Sequence, residues 1–220
     1  MKQTAHLVDF ALVGKSRWRS YEVTKRAMDI LAALLLLALI WPILLLVALA
    51  IKIDSAGPIF FVRERVGQRL TTFRLYKFRT MHSDSEQRYP ELFSFASSSM
   101  APHNIYLQYR DDPRVTRVGR VLRTFSLDEL PNILNVLKGN MSLVGPRPEA
   151  IEMLKYYQSY EKFLVKPGIT GLAQTNGRGN LNFADTVSYD VDYVRRRSLI
   201  TDLKILLRTP GAVLWHRGAF

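Results

Sequence analysis

The 220 residues hold 31 lysines and arginines against 19 aspartates and glutamates, a formal net charge of +12, and no cysteine. Disulfides, cysteine-ligated zinc and thiol nucleophiles are thereby excluded, and the charge calls for a negative partner: nucleic acid, anionic lipid headgroups or a phosphorylated substrate. The length suits one domain with its own core beside a membrane anchor.

Residues 1–24 are a basic N-terminal segment. From Ile30 to Ile51 the stretch ILAALLLLALIWPILLLVALAI carries no charge over 22 residues, enough to cross a hydrocarbon core of about 30 Å at about 1.5 Å per residue. It starts too late and runs too long for a cleaved signal peptide, and it ends in KID without a small-residue cleavage pattern, so it stays attached and contacts the membrane. Pro42 cannot donate to the carbonyl of Ala38 and its ring crowds that turn. This predicts a kink or break into arms of roughly 12 and 9 residues, neither of which spans alone. Lys15, Arg17, Arg19, Lys25 and Arg26 lie on one side, with Lys52, Arg63, Arg65 and Arg69 on the other, so the positive-inside rule selects no orientation. A re-entrant segment over residues 25–54 with both ends cytoplasmic satisfies these features; a spanning helix with a tolerated kink is the alternative.

Beyond the anchor, DSAGP reads as a turn. IFFVRERVGQRLTTFRLYKF gives two β-rich runs around Gly67, a hairpin. Residues 83–112 are polar and serine-rich and predict mostly loop with one short helix. Leu130, Ile133, Leu134 and Leu137 recur at helical spacing, marking an amphipathic helix over Leu127–Lys138. A second helix is expected over Ala150–Leu164. A third, from Leu199, has a broad apolar face with Trp215 near its end; it suits the membrane interface, a core-packed terminal helix being the alternative. There is no internal repeat. The expected fold is α+β and mainly helical: a re-entrant membrane helix, a β-hairpin and amphipathic interfacial helices around a small catalytic domain over residues 55–220.

Asp128 and Glu129 admit two readings. Ser126-Leu-Asp-Glu129 matches the S-x-x-E capping box, in which acidic residues favour the first helical turn, and that needs no function. The same helix start attracts phosphate oxygens and holds Asp128 ionised, hence nucleophilic, while Glu129, pointing about 100° away, is free to serve as a metal ligand. GPRP then sets Arg147 between two prolines, restricting the backbone around a guanidinium suited to bidentate phosphate contact.

KRAMDI leading into an apolar run with a central proline, GPIFFVRERVG, YKFRTM, DPRVTRVGRVLRTFSLDELPNILNVLKGNMSLVGPRPE and KPGITGLAQTNGR follow one another in that order. Together they resemble the bacterial sugar transferase family, the monotopic polyprenyl-phosphate phosphoglycosyl transferases, over roughly Lys25 to Arg208. The resemblance is to the small form, with no multi-span or soluble N-terminal extension. It implies transfer of a sugar-1-phosphate from a UDP-sugar to undecaprenyl phosphate with release of UMP, by a ping-pong mechanism through an aspartyl phospho-sugar. That is the first membrane step of exopolysaccharide, capsule, O-antigen or glycoprotein glycan assembly, on the cytoplasmic face of the bacterial inner membrane. A homodimer and downstream glycosyltransferases are the further partners implied.

Position by position, the resemblance makes Asp128 the nucleophile and Glu129 its partner in holding Mg²⁺, both of them metal ligands. Lys77 and Arg79 of KFRT, Arg123, Arg147 and Arg178 of NGR become the groups around the diphosphate or the lipid phosphate. One departure from the pattern is Trp41, which precedes Pro42 where serine is frequent. A membrane-tethered basic module for nucleic acid would explain the charge but leave these ordered blocks without a role, so no nucleic-acid partner is expected. No G-x-x-x-x-G-K-[ST] run is present for a P-loop enzyme.

Overall fold

The structure, a computed structural model, describes residues 15–90, 92, 112–177 and 181–214. The apolar run forms the middle of one 40-residue helix, α1 (Lys15–Asp54), about 60 Å long at 1.5 Å per residue. Of the kink or break expected at Pro42, the break is not formed; the helix continues through the proline. Removing one backbone donor is tolerated here because Ile40 and Leu44, on either side of it, are packed into the domain core.

The domain lies alongside α1 and not at one end of it. Ala33 and Ile40 pack against Phe73, Leu75, Ile133, Val136 and Met141. About three turns beyond Ile40, Ile51 meets Phe78 and Leu122. Leu36, Leu37, Val47 and Ala48 fill the intervals, so one stripe at helical spacing is covered from Ala33 to Ile51. Away from that stripe Leu35, Leu39 and Leu46 are 74%, 74% and 65% exposed. Polar ties fasten both ends. Arg26 donates to the carbonyls of Val136 and Leu137, Asp29 accepts the amide of Leu143 at 3.0 Å, and Asp54 accepts the amide of Val118 at 3.0 Å.

The hairpin forms where the sequence places it. β1 (Phe60–Val66) pairs antiparallel with β2 (Thr72–Phe78), with Phe61 opposite Lys77. Its turn is closed by the Gly67 amide on the Thr71 carbonyl and carries Arg69 and Leu70 at positive φ. A single turn, α2 (Ser85–Arg88), follows. Beyond it, α3 (Arg117–Thr124) starts at Thr116, whose hydroxyl accepts the Gly119 amide at 2.9 Å.

The helix expected over Leu127–Lys138 changes type within it: a 3₁₀ segment covers Leu127–Asn132, and α4 covers Ile133–Lys138. Pro131 lacks the amide that an α-helical bond would use at that position. The long helix expected over Ala150–Leu164 is two 3₁₀ turns, Ile151–Tyr156 and Glu161–Leu164. Aromatic packing sets that path: Tyr157, Phe163 and Phe183 cluster edge to face. A short parallel pair, β3 (Ser142–Val144) with β4 (Gly168–Thr170), was not legible from pattern. The chain ends in α5 (Leu172–Gly177), α6 (Phe183–Arg196) and α7 (Leu199–Leu214). α6 is capped by Asn182, whose carboxamide oxygen accepts the Asp185 amide. α7 exposes Ile200, Leu203 and Leu207 yet buries Ile205 and Asp202, so it is both core-packed and apolar outward. Trp215 lies outside the described residues. The mainly helical α+β class stands.

Candidate active site

β2 packs against the 3₁₀ segment, and the Tyr76 amide donates to Asn132 Oδ1 at 3.1 Å. This contact sets Lys77 opposite the acidic pair. Its Nζ lies 2.6 Å from Glu129 Oε1 and 3.6 Å from Asp128 Oδ2. α3 brings a second cation. Gly119 rests against the Thr80 backbone so closely that a Cβ there would sit 2.1 Å from the Thr80 carbonyl oxygen. That approach lets Arg123 Nε donate to Thr80 Oγ1 at 3.0 Å beside Asp128.

Ser126 turns the chain from α3 into the 3₁₀ segment at φ 53°, a left-handed conformation that costs a serine energy. Its side chain caps no first-turn amide, so the hydroxyl half of the expected capping box is not made. The electrostatic expectation for Asp128 is also reversed. Its side chain is only 13% exposed, and burial raises its pKa above the ordinary carboxylate range; Glu129 pushes the same way, while Lys77, Arg123 and Arg147 oppose both. A six-residue 3₁₀ segment supplies little dipole to offset that burial.

Arg147 stands on a segment built for close approach. Gly145 donates to the Thr170 carbonyl, and a Cβ on it would lie 2.5 Å from the Lys166 carbonyl oxygen. Pro146 is buried, and the Arg147 guanidinium is left exposed within the field of Asp128. Beneath it, Lys162 pairs with Asp190 at 2.8 Å and Glu149 at 3.5 Å.

Lys77, Arg123, Asp128 and Glu129 therefore come together, with Arg147 near enough for its charge to act on Asp128. Arg79 does not join them. It is 5% exposed, and its guanidinium donates to the carbonyls of Ser55, at 2.8 Å, and Ala56, closing the end of α1. Gly57, at φ +121°, leaves room for it: a Cβ would come within 2.8 Å of Arg79 Nη1. Arg178 lies outside the described residues. Residue-by-residue reading missed Thr80, which orients Arg123, and Arg65, which sits near Arg147 and Glu149. It also missed Asp112, which with Arg114 stands behind Arg123. Each lies within or next to the basic blocks quoted above, but nothing in their spacing marks a role.

The donor set fits a Mg²⁺ ion. Asp128 and Glu129 present two hard oxygen ligands toward one position, now faced by the Lys77 ammonium. Among the described residues no three acidic or histidine side chains converge. Magnesium is commonly held by one or two carboxylates together with substrate phosphates and water.

Residues 20–216 match the family model described as bacterial sugar transferase. The exopolysaccharide production protein ExoY of Sinorhizobium fredii is 40% identical over 200 residues, which are 90% of this chain and 88% of that one. A UDP-glucose:undecaprenyl-phosphate glucose-1-phosphate transferase of Caulobacter vibrioides is 42% identical over 209 residues, 90% of this chain and 73% of the relative. The undecaprenyl-phosphate galactose phosphotransferase of Salmonella typhimurium is 37% identical over 204 residues, 92% of this chain but 43% of the longer relative.

Proposed function

The chain belongs to the bacterial sugar transferase family, and from that membership we propose that it moves a sugar-1-phosphate from a UDP-sugar to undecaprenyl phosphate, releasing UMP. The observation that carries the reading is the meeting of Asp128 and Glu129 with Lys77 and Arg123, with the charge of Arg147 acting on Asp128 from an unconnected segment. A buried carboxylate ringed by cations, yet with its pKa raised, is suited to a reaction in which a diphosphate arrives and charge must be balanced.

In the first half-reaction Asp128 Oδ attacks the phosphorus that bears the sugar. The bond from that phosphorus to the UMP oxygen breaks, and UMP leaves with the electron pair. Lys77, Arg123 and Arg147 neutralise the diphosphate and the leaving phosphate; without them the approaching carboxylate is repelled. Bound between Asp128 and Glu129, Mg²⁺ would supply additional neutralisation of the diphosphate. In the second half-reaction an oxygen of undecaprenyl phosphate attacks the same phosphorus. The acyl–phosphate bond breaks, the diphosphate-linked lipid sugar departs, and the Asp128 carboxylate is restored.

The lateral packing of α1 supports a one-leaflet, monotopic placement, even though the helix is not divided at Pro42. A helix crossing the bilayer would draw the charged domain fastened along it, from Arg26 to Asp54, into hydrocarbon. A helix that enters a single leaflet presents only Leu35, Leu39, Leu46 and their neighbours to lipid. The domain then lies on the cytoplasmic face, where the soluble UDP-sugar and the bilayer-bound acceptor meet, and the product feeds exopolysaccharide or related glycan assembly.

The test is UMP release by the purified chain, given undecaprenyl phosphate and a panel of UDP-sugars. One or more sugars should support release, with parallel double-reciprocal plots as the two substrates are varied. Folded enzyme that releases no UMP with any of them, or intersecting plots, would overturn the activity or the ping-pong order respectively.

A further inference from the structure

A second cavity, of about 140 Å³, lies where the N-terminal half of α1 meets the segments before β4 and after α6. None of the residues assigned to the reaction lines it. Four of its lining residues are basic, Lys25, Arg26, Lys166 and Arg197, against two acidic ones, Glu22 and Asp29.

Half of these charges are already occupied. Lys25 pairs with Asp202 at 2.7 Å. Arg26 is spent on the carbonyls of Val136 and Leu137, where it closes the end of α4. Asp29 accepts the Leu143 amide, and Glu22 is exposed; its charge acts on Lys166 and Arg197, but among the described residues it makes no ion pair. Lys166 and Arg197 are left over.

Among the described residues Lys166 Nζ has no hydrogen-bond acceptor and no carboxylate within ion-pair distance. Arg197 stacks on Trp18 at 3.8 Å and donates from Nη1 to the Val194 carbonyl, but its Nε is buried with no acceptor. The Arg26 and Lys166 heads also converge on Gly139, where a Cβ would lie 3.4 Å from Arg26 Nη2 and 3.7 Å from Lys166 Nζ. Two like charges drawn together, with donors unfilled beside an open volume, describe a site missing its anion. Burial and then the neighbouring Arg26 hold the Lys166 amine below the usual lysine range, against the opposing pull of Asp29 and Glu22.

Placement indicates where such an anion comes from. Tyr21 to Asp29, which form one wall, directly precede the charge-free run that begins at Ile30. That wall therefore stands at the level where a bilayer carries its phosphates. We propose that the cavity binds a phosphate group, with Lys166 and Arg197 as donors, and that an anionic phospholipid headgroup supplies it.

The test is thermal unfolding of the whole chain in non-ionic micelles, titrated separately with short-chain phosphatidylglycerol, short-chain phosphatidylcholine and inorganic phosphate. Phosphatidylglycerol at about a hundredfold excess over its dissociation constant should raise Tm by roughly 5 °C. Phosphatidylcholine, whose choline neutralises its own phosphate, should raise it little. Lys166→Gln and Arg197→Gln should each abolish the response. A rise with inorganic phosphate that the same variants abolish, without one for phosphatidylglycerol, would keep the site and overturn the lipid source. No rise with either anion, or an equal rise in the variants, overturns the site. Should the variants fail to fold, native mass spectrometry of wild-type chain from mixed micelles decides: retention of one phosphatidylglycerol in preference to phosphatidylcholine supports the proposal, and equal retention overturns it.

Discussion

The ammonium of Lys77 lies 2.6 Å from Glu129 Oε1, joining β2 to the acidic pair across 52 residues of sequence. The hairpin thus supplies the first counter-charge that Asp128 and Glu129 meet. Replacing it by Lys77→Gln leaves two close carboxylates opposed only by the arginines, which pushes the Asp128 pKa further up. Turnover should fall at least about 10-fold, equivalent to ~1.4 kcal/mol, and the acid limb of the pH–rate profile should move to higher pH. A profile with an unmoved acid limb would remove Lys77 from the control of Asp128.

Arg79 behaves differently because its guanidinium is committed to the Ser55 and Ala56 carbonyls. Arg79→Gln should remove the charge-assisted hydrogen bonds of a buried guanidinium and destabilise the fold by about 1–3 kcal/mol, seen as a lower Tm. Specific activity per folded molecule should stay near wild type. A normal Tm with a large loss of turnover would return Arg79 to the phosphate site.

Arg147 is exposed while the segment before it is held by buried Pro146 and by the Gly145 amide on the Thr170 carbonyl. Arg147→Lys keeps the charge and loses the planar fork, so kcat/KM should drop about 10-fold or more if the phosphate contact is bidentate. A wild-type rate would reduce Arg147 to a generic charge.

These cases show what pattern could and could not reveal. The hairpin was legible because β-branched and aromatic runs flank Gly67, and the acidic pair because two carboxylates sit beside GPRP in a basic region. Arg79 and Lys77 look alike in KFRT, and two residues apart on a strand they would share a face, yet β2 ends at Phe78, so Lys77 reaches the site from the strand while Arg79, past its end, goes under the end of α1. The tertiary fold alone separates them. Pro42 misled for a related reason. Local chemistry predicts a break, but packing of Ile40 and Leu44 against the domain lies outside any window around the proline. The 3₁₀ turns at Ile151–Tyr156 and Glu161–Leu164 follow an aromatic cluster completed by Phe183, some twenty residues on.

Topology can be read by labelling, since the chain has no cysteine of its own. Single cysteines at the exposed positions Arg19 and Lys52 should both react only from the cytoplasmic side. Because the domain holds α1 along its length, Pro42→Ala should leave that pattern unchanged. Labelling from opposite faces would establish a spanning helix, and a pattern that changes in Pro42→Ala would show that the proline, and not the domain, sets the topology.

Asp128 is the residue on which the covalent mechanism stands, and a structural acid and a nucleophile answer the same substitution differently. Its pKa in the folded chain is raised, so its contribution to stability is fully present below the unfolded value and is lost as pH rises through the folded one. At neutral pH, without metal, the buried ionised carboxylate therefore costs stability. Asp128→Asn removes that cost: its Tm should exceed wild type at pH 7 in chelator, with the gap closing as the pH falls toward 4. The same amide cannot form an acyl phosphate, so UMP release should vanish in a protein that is more stable than its parent. Glu129→Gln should also slow turnover, and added Mg²⁺ should partly restore it, whereas no metal concentration should rescue Asp128→Asn. Wild-type enzyme given radiolabelled UDP-sugar without lipid acceptor should retain label on a peptide containing Asp128, released by hydroxylamine. Turnover by the folded Asn variant, or label on another residue, would overturn the assignment of Asp128 as nucleophile.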